Sequence, residues 1–321
     1  MIFSLNQKEH EQVDKLLMTS EYNDNVATFL NEEVINQIVT DEVKKDYRIQ
    51  ELKISDYPVN QQYQNIKRPI KIKDYELKDE VYQPYQCFLY DDISVDEDDY
   101  FLIKNYVGYF TKAYRFLTLQ KDGTTWMSLI PHEINTMKKD IKNVSKTIYI
   151  FGLGLAYFPS LVSQNVAKII IIEKDRTVIE IFKKNILPHL AYPEKYTIIE
   201  EDAFTYARTL PLDAFAFIDL WHNVDDGLDM YIRLKKVFKN HQHIHYWIEE
   251  SLIAAIRHLF INLIEEELYH PNEFDYKTAK NLPDEIINKL HHHFVDKKIT
   301  SYQELKELLT TDYLKQLVTC L

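Results

Sequence analysis

A short apolar run that ends in Gly-x-Gly constrains the fold of this chain more than any other feature. Residues 147–151, Thr-Ile-Tyr-Ile-Phe, lead directly into Gly152-Leu153-Gly154, which holds two of the five glycines in 321 residues. Glycine adopts backbone conformations that are closed to other residues, and it allows a ligand to approach the backbone closely. The run therefore predicts a buried strand that turns sharply into a helix at a ligand-binding site.

Three further apolar segments follow this turn, and each ends at an acidic residue. Four consecutive isoleucines precede Glu173, residues 196–199 precede Glu200-Glu201-Asp202, and residues 214–218 precede Asp219. Strands that are buried on both faces of a parallel sheet show such continuous runs. Ligands bind such sheets at the carboxyl ends of the strands. We therefore predict an α/β fold with a doubly wound, Rossmann-like parallel sheet and an acid-lined crevice.

The glycine turn argues against one class of cofactor and resembles the site of another. A dinucleotide fingerprint needs Gly-x-Gly-x-x-Gly, and Tyr157 stands in place of its third glycine. Four motifs mark the turn and the strand ends: Gly152-Leu153-Gly154-Leu155-Ala156, Ile172-Glu173-Lys174-Asp175, Glu201-Asp202-Ala203-Phe204 and Phe217-Ile218-Asp219-Leu220. Together they resemble the class I S-adenosylmethionine-dependent methyltransferase superfamily, with some resemblance to its spermidine-synthase-like members. The resemblance covers roughly residues 131–250.

The resemblance implies that S-adenosyl-L-methionine is the cofactor. By this resemblance, Glu173 would accept hydrogen bonds from both ribose hydroxyls, Asp202 would accept one from the adenine amino group, and Asp219 would face the methionine end or the acceptor. Carboxylates suit these positions because they accept several strong hydrogen bonds at once. The implied cofactor-binding residues are Gly152, Gly154, Tyr157, Glu173, Lys174, Asp202, Ala203 and Asp219.

The loop after the fourth predicted strand supplies the candidate catalytic residues. It runs from Leu220 to Gly227 and combines an indole, an imidazole and two carboxylates. His222 suits a general base near neutral pH. Trp221 fits either a cation-π contact with a sulfonium or amine, or a place in the core. The predicted catalytic residues are Asp219, His222 and Asp225.

The segments on either side of residues 131–250 follow other patterns. Helical apolar spacing predicts two packing helices between residues 6 and 45, and short β-leaning runs follow up to residue 130, including a hairpin at Asp122-Gly123. Pro131 and Glu133 mark a helix start, and that helix is expected to reach about Asn143. Amphipathic helices are expected again from Leu252 onward. We therefore predict a helical and β-hairpin lobe over 1–130, a cofactor-binding domain over 131–250 and a helical extension over 251–321.

Composition limits the partners and the location. The formal net charge is -12, which disfavours nucleic acid and suits a cationic small-molecule acceptor. Only Cys87 and Cys320 occur, and neither a signal peptide nor a membrane span is visible, so we expect a cytoplasmic chain. The helical extension leaves a homodimer possible. No metal is expected: the acidic run 91–99 lacks the glycine bend of a calcium loop and favours a solvated loop, and no convergent fourth ligand joins His241, His243 and His245.

These observations predict a methyltransferase that uses S-adenosylmethionine and acts on a small or cationic acceptor. A spermidine-synthase-like aminopropyltransferase is one alternative, although Leu220-Trp221-His222 differs from the small polar residues and proline usual after its strand-four aspartate. A noncatalytic protein with the same fold is another alternative, because Ile150 and Ala156 depart from the methyltransferase pattern.

Overall fold

The computed structural model describes residues 1–30, 38–39, 49–58, 61–139, 146–270 and 278–321. The chain begins with β1 (Ile2–Phe3) and α1 (Gln7–Phe29), and Asn6 caps the helix by accepting a hydrogen bond from the Glu9 N–H. This one continuous helix takes the place of the first predicted helix and of the start of the second. The rest of the second predicted helix falls mostly on residues outside the described ranges.

Short strands dominate the chain from residue 50 to residue 128, as predicted. They are β2 (Gln50–Glu51), β3 (Ile70–Ile72), β4 (Tyr75–Tyr82), β5 (Phe88–Leu89), β6 (Ser94–Asp96), β7 (Leu102–Lys104), β8 (Val107–Tyr109), β9 (Tyr114–Lys121) and β10 (Thr124–Ser128), with a helical turn, α2 (Gln61–Gln64), before β3. Antiparallel strands in the order β10-β9-β4-β3 form the main sheet of this lobe.

The hairpin between β9 and β10 is confirmed. Asp122 and Gly123 both have positive φ, at 50° and 78°, which is the backbone shape of a tight turn that follows the twist of the strands. Behind the hairpin, α3 (Pro131–Lys138) starts with proline in its first turn, as predicted. Residues 140–143 of the predicted helix lie outside the described residues.

The predicted doubly wound sheet is confirmed. It contains β11 (Thr147–Phe151), β12 (Lys168–Glu173), β13 (Tyr196–Glu200), β14 (Phe215–Ile218) and β15 (His243–Tyr246). The strands are all parallel, in the order β13-β12-β11-β14-β15, and no further strand joins them within the described ranges. The connecting helices are α4 (Tyr157–Val162), α5 (Arg176–Ile181), α6 (Ala203–Ala207) and α7 (Val224–Val237).

Helices dominate the rest of the chain, as the apolar spacing predicts. They are α8 (Glu249–Tyr269), α9 (Leu282–Phe294), α10 (Tyr302–Leu309) and α11 (Thr311–Leu317), and β16 (Lys298–Ile299) pairs in parallel with β1. One cluster of buried apolar side chains runs through the N-terminal lobe, the parallel sheet and these helices. The predicted domain boundaries at 130 and 250 stay predictions.

Two expectations about polar residues need comment. Asp92 is 6% exposed and accepts a hydrogen bond from the Ser251 hydroxyl, so at this position the expected solvated loop is wrong. His241 bonds the Leu210 carbonyl, and His245 stacks on Phe215. Over the part of the chain described, no group of three or more His, Cys, Asp or Glu residues is arranged to hold a metal ion.

Among the same residues, no helix is long and apolar enough to cross a membrane.

Candidate functional site

A cleft of about 330 Å³ lies at the carboxyl ends of the parallel strands. Its floor is formed by the turn after β11 and by the residues that follow β12, β13 and β14, and its roof by the β9–β10 hairpin. It is lined by the predicted residues Gly152, Gly154, Glu173, Lys174, Asp202, Ala203, Asp219 and His222. The parallel arrangement brings these residues together because neighbouring parallel strands end at the same edge of the sheet.

The glycine turn is shaped by the neighbouring strand as well as by the cleft. Gly152 has a φ of 96°, and a Cβ atom there would lie 1.8 Å from the Asp219 carbonyl oxygen. Gly154 has a φ of 52°, and its missing Cβ would meet the thioether of Met127 at 2.3 Å. Gly152 is therefore required by the close passage of two backbones, whereas a flexible side chain covers Gly154.

Glu173 joins the second strand to the glycine turn. One carboxylate oxygen accepts the Leu153 N–H at 3.1 Å, and the other accepts the Asp175 N–H at 2.7 Å. Burial raises the pKa of Glu173 above its ordinary value, although these two hydrogen bonds act in the opposite direction. A carboxylate has about four lone-pair positions. The fixed carboxylate therefore keeps the capacity to accept further hydrogen bonds from a ligand.

Asp202 lies at the third strand's end, where it also caps a helix. Its Oδ1 atom accepts the Thr205 N–H at 3.1 Å, at the N-terminus of α6. The side chain is exposed, and Oδ2 accepts no hydrogen bond from any residue in the described ranges. One oxygen thus orients the carboxylate, while the second is available to a donor in the cleft.

Asp219 follows the fourth strand, and its pKa departs further from the ordinary value than that of any other acid that lines the cleft. Its N–H donates to the Phe151 carbonyl at 2.8 Å, which joins the end of β14 to the end of β11, just before the glycine turn. Burial, and then the charge of Glu173, raises the pKa of Asp219 to about 7. A carboxyl group with such a pKa exchanges its proton near neutral pH, which is what acid–base chemistry requires.

His222 forms a dyad with Asp226 at the edge of the cleft. The Nδ1 atom of His222 lies 2.6 Å from Oδ2 of Asp226, and Asp226 also accepts the His222 N–H. Burial by itself would raise the pKa of Asp226. Hydrogen bonds from Asn223 and His222 outweigh burial and hold this pKa below its ordinary value. A charged carboxylate at Nδ1 favours the tautomer whose Nε2 atom accepts a proton.

Two predicted residues lie outside this cleft. Asp225 is exposed on the first turn of α7, where its N–H donates to the Asn223 side chain at 2.8 Å. Tyr157 starts α4 and lines a second, smaller cavity on the other side of the glycine turn.

Trp221 lines the cleft but is only 4% exposed. Its indole N–H donates to the Trp247 carbonyl at 3.2 Å, so the side chain belongs largely to the core.

The hairpin roof adds an aromatic and cationic wall. The ring of Trp126 packs edge-on against His222 at 4.5 Å, and the ammonium of Lys121 lies 5.0 Å from the Trp126 ring. Tyr75 donates a hydrogen bond to Asp175 at 2.7 Å, and Lys121 approaches the same carboxylate at 3.9 Å. These contacts fasten the N-terminal lobe over the cleft.

Trp126 in the roof and Glu133, which lines the smaller cavity together with Asp219, are not among the residues predicted from the sequence. Asp226 belongs to the loop predicted to act on the acceptor, but its pairing with His222 is not predicted. The spacing of four residues between His222 and Asp226 at a helix start is a signal that points to their pairing. The positions of Trp126 and Glu133 depend on tertiary packing and carry no local signal.

Comparisons with known proteins leave the family open. No family model matches the chain, and no curated protein matches its sequence. Similar solved structures include spermidine synthase from Thermotoga maritima, with a TM-score of 0.30, 17% identity and coverage of 40% of this chain and 49% of that one. A spermidine synthase in complex with the transition state analogue AdoDATO has a TM-score of 0.33, 16% identity and coverage of 45% and 58%.

A third similar structure, MNMC2 from Aquifex aeolicus, has a TM-score of 0.29 and 13% identity, with coverage of 85% of this chain and 97% of that one. The matches to the two spermidine synthases span about half the length of those proteins. Similarities at these TM-scores and sequence identities do not assign an activity to this chain.

Proposed function

We propose that this chain is a transferase that binds S-adenosylmethionine in the cleft and transfers its methyl group to a small acceptor. One observation carries the proposal: Glu173, Asp202 and Asp219 line one cleft together with the glycine turn. The cofactor supplies an electrophilic methyl carbon bound to a sulfonium. The residues around the cleft fit an adenosyl ligand, because they offer carboxylate oxygens where its hydroxyl and amino donors need acceptors.

The chain's own groups would bind and orient. Glu173, held by two backbone N–H groups, would accept the ribose hydroxyls, and the free Oδ2 of Asp202 would accept the adenine amino group. Most of the acceleration would come from positioning the acceptor in line with the methyl group. The roof over the cleft would limit the access of water.

His222 would act on the acceptor. At neutral pH an amine is present as an ammonium ion, and it has to lose a proton before it attacks as a nucleophile. Asp226 would hold a proton on Nδ1 of His222, so the Nε2 atom would be free to take the proton from the acceptor's ammonium group. The acidic lining, which includes Glu173, Asp175, Glu201, Asp202 and Asp219 against Lys121 and Lys174, would attract a cationic acceptor.

The acidic lining also supports a second candidate, aminopropyl transfer from decarboxylated S-adenosylmethionine to an amine. Both reactions use an adenosyl sulfonium and an amine, and they differ in the carbon that is attacked. Incubation with each sulfonium and with putrescine separates them, since methyl transfer releases S-adenosylhomocysteine and aminopropyl transfer releases methylthioadenosine.

Calorimetric titration with S-adenosylmethionine tests the binding proposal. Asn caps helices about as well as Asp. Asp202→Asn therefore keeps the cap on α6 but replaces the free acceptor, and we expect it to weaken binding by roughly tenfold or more. Asp312→Asn, on an exposed position of α11, is the matched control and should bind like the natural chain. No measurable binding by the natural chain, or equal affinity in all three proteins, would refute the site.

A further inference from the structure

The outer edge of β15 carries backbone groups without partners. Within the described ranges the parallel sheet ends at β15, which pairs with β14 alone. The Trp247 N–H donates to the Ile218 carbonyl. Because backbone groups alternate in direction along a strand, those of Ile244 and Tyr246 point away from β14. Their N–H and C=O groups bond no described residue, so this edge can pair with a further strand.

The sequence of β15 does not protect this edge against pairing. Natural sheets blunt exposed edges with prolines, with lysines in the edge strand or with bulges. Residues 243–246 read His-Ile-His-Tyr, and their register with β14 is continuous. The strand thus contains no proline, no lysine and no bulge, and it keeps the regular geometry that a partner strand requires.

A groove of about 370 Å³ lies beside this edge. It is lined by Ile244 and Tyr246 of β15, by the end of α7 with the residues that follow it, and by residues of α11 and the turn after it. Its volume is within the range of ligand-binding clefts. No residue lines both this groove and the cleft of the proposed transferase site, so the groove is a separate surface.

The groove is basic, although the whole chain has a net charge of -12. Lys235, Lys239 and Lys315 line it, and its described lining contains no Asp or Glu. Lys235 pairs with Glu249 at 3.4 Å, and Lys315 pairs with Glu249 and Glu250 at 3.2 and 3.1 Å. Lys239 has no ion-pair partner among the described residues. The groove therefore favours a partner with acidic side chains.

We propose that the β15 edge and this groove bind an extended acidic segment of another protein, which adds to the sheet as a further strand. Its backbone would pair with Ile244 and Tyr246, and acidic side chains at alternate positions would face the lysines. A second copy of this chain fits the surface less well. Two β15 edges paired about a twofold axis would bring the same lysines of both copies together.

Fluorescence anisotropy with a labelled peptide of alternating Glu and Thr tests the proposal. Thr favours the extended conformation, and the alternation places every Glu on one face of the added strand. We expect saturable binding at low ionic strength that weakens as salt is added. A peptide of alternating Lys and Thr is the control for charge and should not bind.

N-methylation of the peptide separates strand addition from charge attraction, because it removes backbone donors and leaves the charges unchanged. One peptide is methylated on every Glu nitrogen and another on every Thr nitrogen. Only one of these two sets points towards β15 in an added strand, so only one methylated peptide should lose binding. Loss with methylated Glu would indicate an antiparallel strand, and loss with methylated Thr a parallel one. Retention by both peptides, or loss by both, would overturn strand addition.

Two variants of the chain test the edge and the groove. Ile244→Pro removes an outward N–H without breaking a bond to β14, and it should weaken binding by roughly tenfold or more. Lys239→Gln breaks no ion pair and should weaken binding by about twofold to fivefold. Lys8→Gln, on an exposed position of α1, is the matched control and should bind like the natural chain. Urea denaturation checks that Ile244→Pro is folded, and if it is not, Lys239→Gln and the methylated peptides decide.

The remaining outcomes also decide the proposal. Absence of saturable binding by the acidic peptide, or equal affinity of the natural chain and both variants, would overturn it. Sedimentation of the natural chain without peptide tests the other occupant of the edge. A dimer that Ile244→Pro dissociates would show that a second copy covers β15, and it would overturn the acidic partner. None of these measurements depends on the cofactor, so they leave the proposed transferase site untouched.

Discussion

Gly152 shows how one residue can serve the packing of the chain as well as its ligand site. The Asp219 carbonyl passes so close to Gly152 that no side chain fits between the ends of β11 and β14. Gly123 provides a comparison, because it also has positive φ but has no atom within 4 Å of a missing Cβ. The two positions therefore separate backbone strain from steric overlap.

Gly152→Ala should lower the free energy of unfolding by about 3 kcal/mol or more, since strain at positive φ adds to the overlap with Asp219. Gly123→Ala should cost only about 1 kcal/mol, because it introduces strain alone. Urea denaturation of both variants measures the difference. Equal losses would mean that the close approach at Gly152 is absent in solution.

The first turn of α7 shows how an element positions a catalytic candidate. Asn223 caps this helix in a capping box, accepting the Asp225 and Asp226 N–H groups while the Asp226 side chain accepts the Asn223 N–H. The same Asp226 carboxylate holds His222. The stability of a helix end and the orientation of the imidazole are thus coupled through one carboxylate.

Asn223→Ala should therefore reduce both stability and turnover. The expected loss in unfolding free energy is about 1 kcal/mol, as for other N-cap residues. The matched control is Asn281→Ala, because Asn281 caps α9 by accepting the Asp284 N–H at 2.9 Å and does not line the cleft. Denaturation curves and kcat are measured for both variants, and only Asn223→Ala should lower kcat. A similar kcat in the two variants would argue against the dyad.

At the scale of the whole molecule, α3 and the parallel sheet bring several acids together. The net charge is -12, and the cleft and the second cavity concentrate carboxylates instead of dispersing them. Burial of Asp219 near Glu173 raises its pKa to about 7. In the unfolded chain an aspartate titrates near pH 4. Between these values the folded chain keeps a proton that the unfolded chain has lost.

Asp219 should therefore contribute a fall in the free energy of unfolding as the pH rises from about 4 to about 7, and no further slope above that range. Asp219→Asn removes this titration. Relative to that variant, the natural chain should lose on the order of 2 kcal/mol between pH 5 and pH 8. The charge of Asp219 also raises the pKa of Glu133, so the difference between the two curves reports Asp219 together with its coupling to Glu133. Parallel stability curves would contradict the raised pKa.

The sequence by itself determined the parallel sheet, the glycine turn, the β9–β10 hairpin and the C-terminal helices, because each depends on local periodicity and turn chemistry. It also placed Glu173, Asp202 and Asp219 at one edge, since parallel strands end together. Only the tertiary structure decided that Trp126 covers His222, that Glu133 meets Asp219 across a cavity, and that Asp225 points away from the cleft. These outcomes depend on how distant segments pack, and no short-range pattern in a chain encodes that packing.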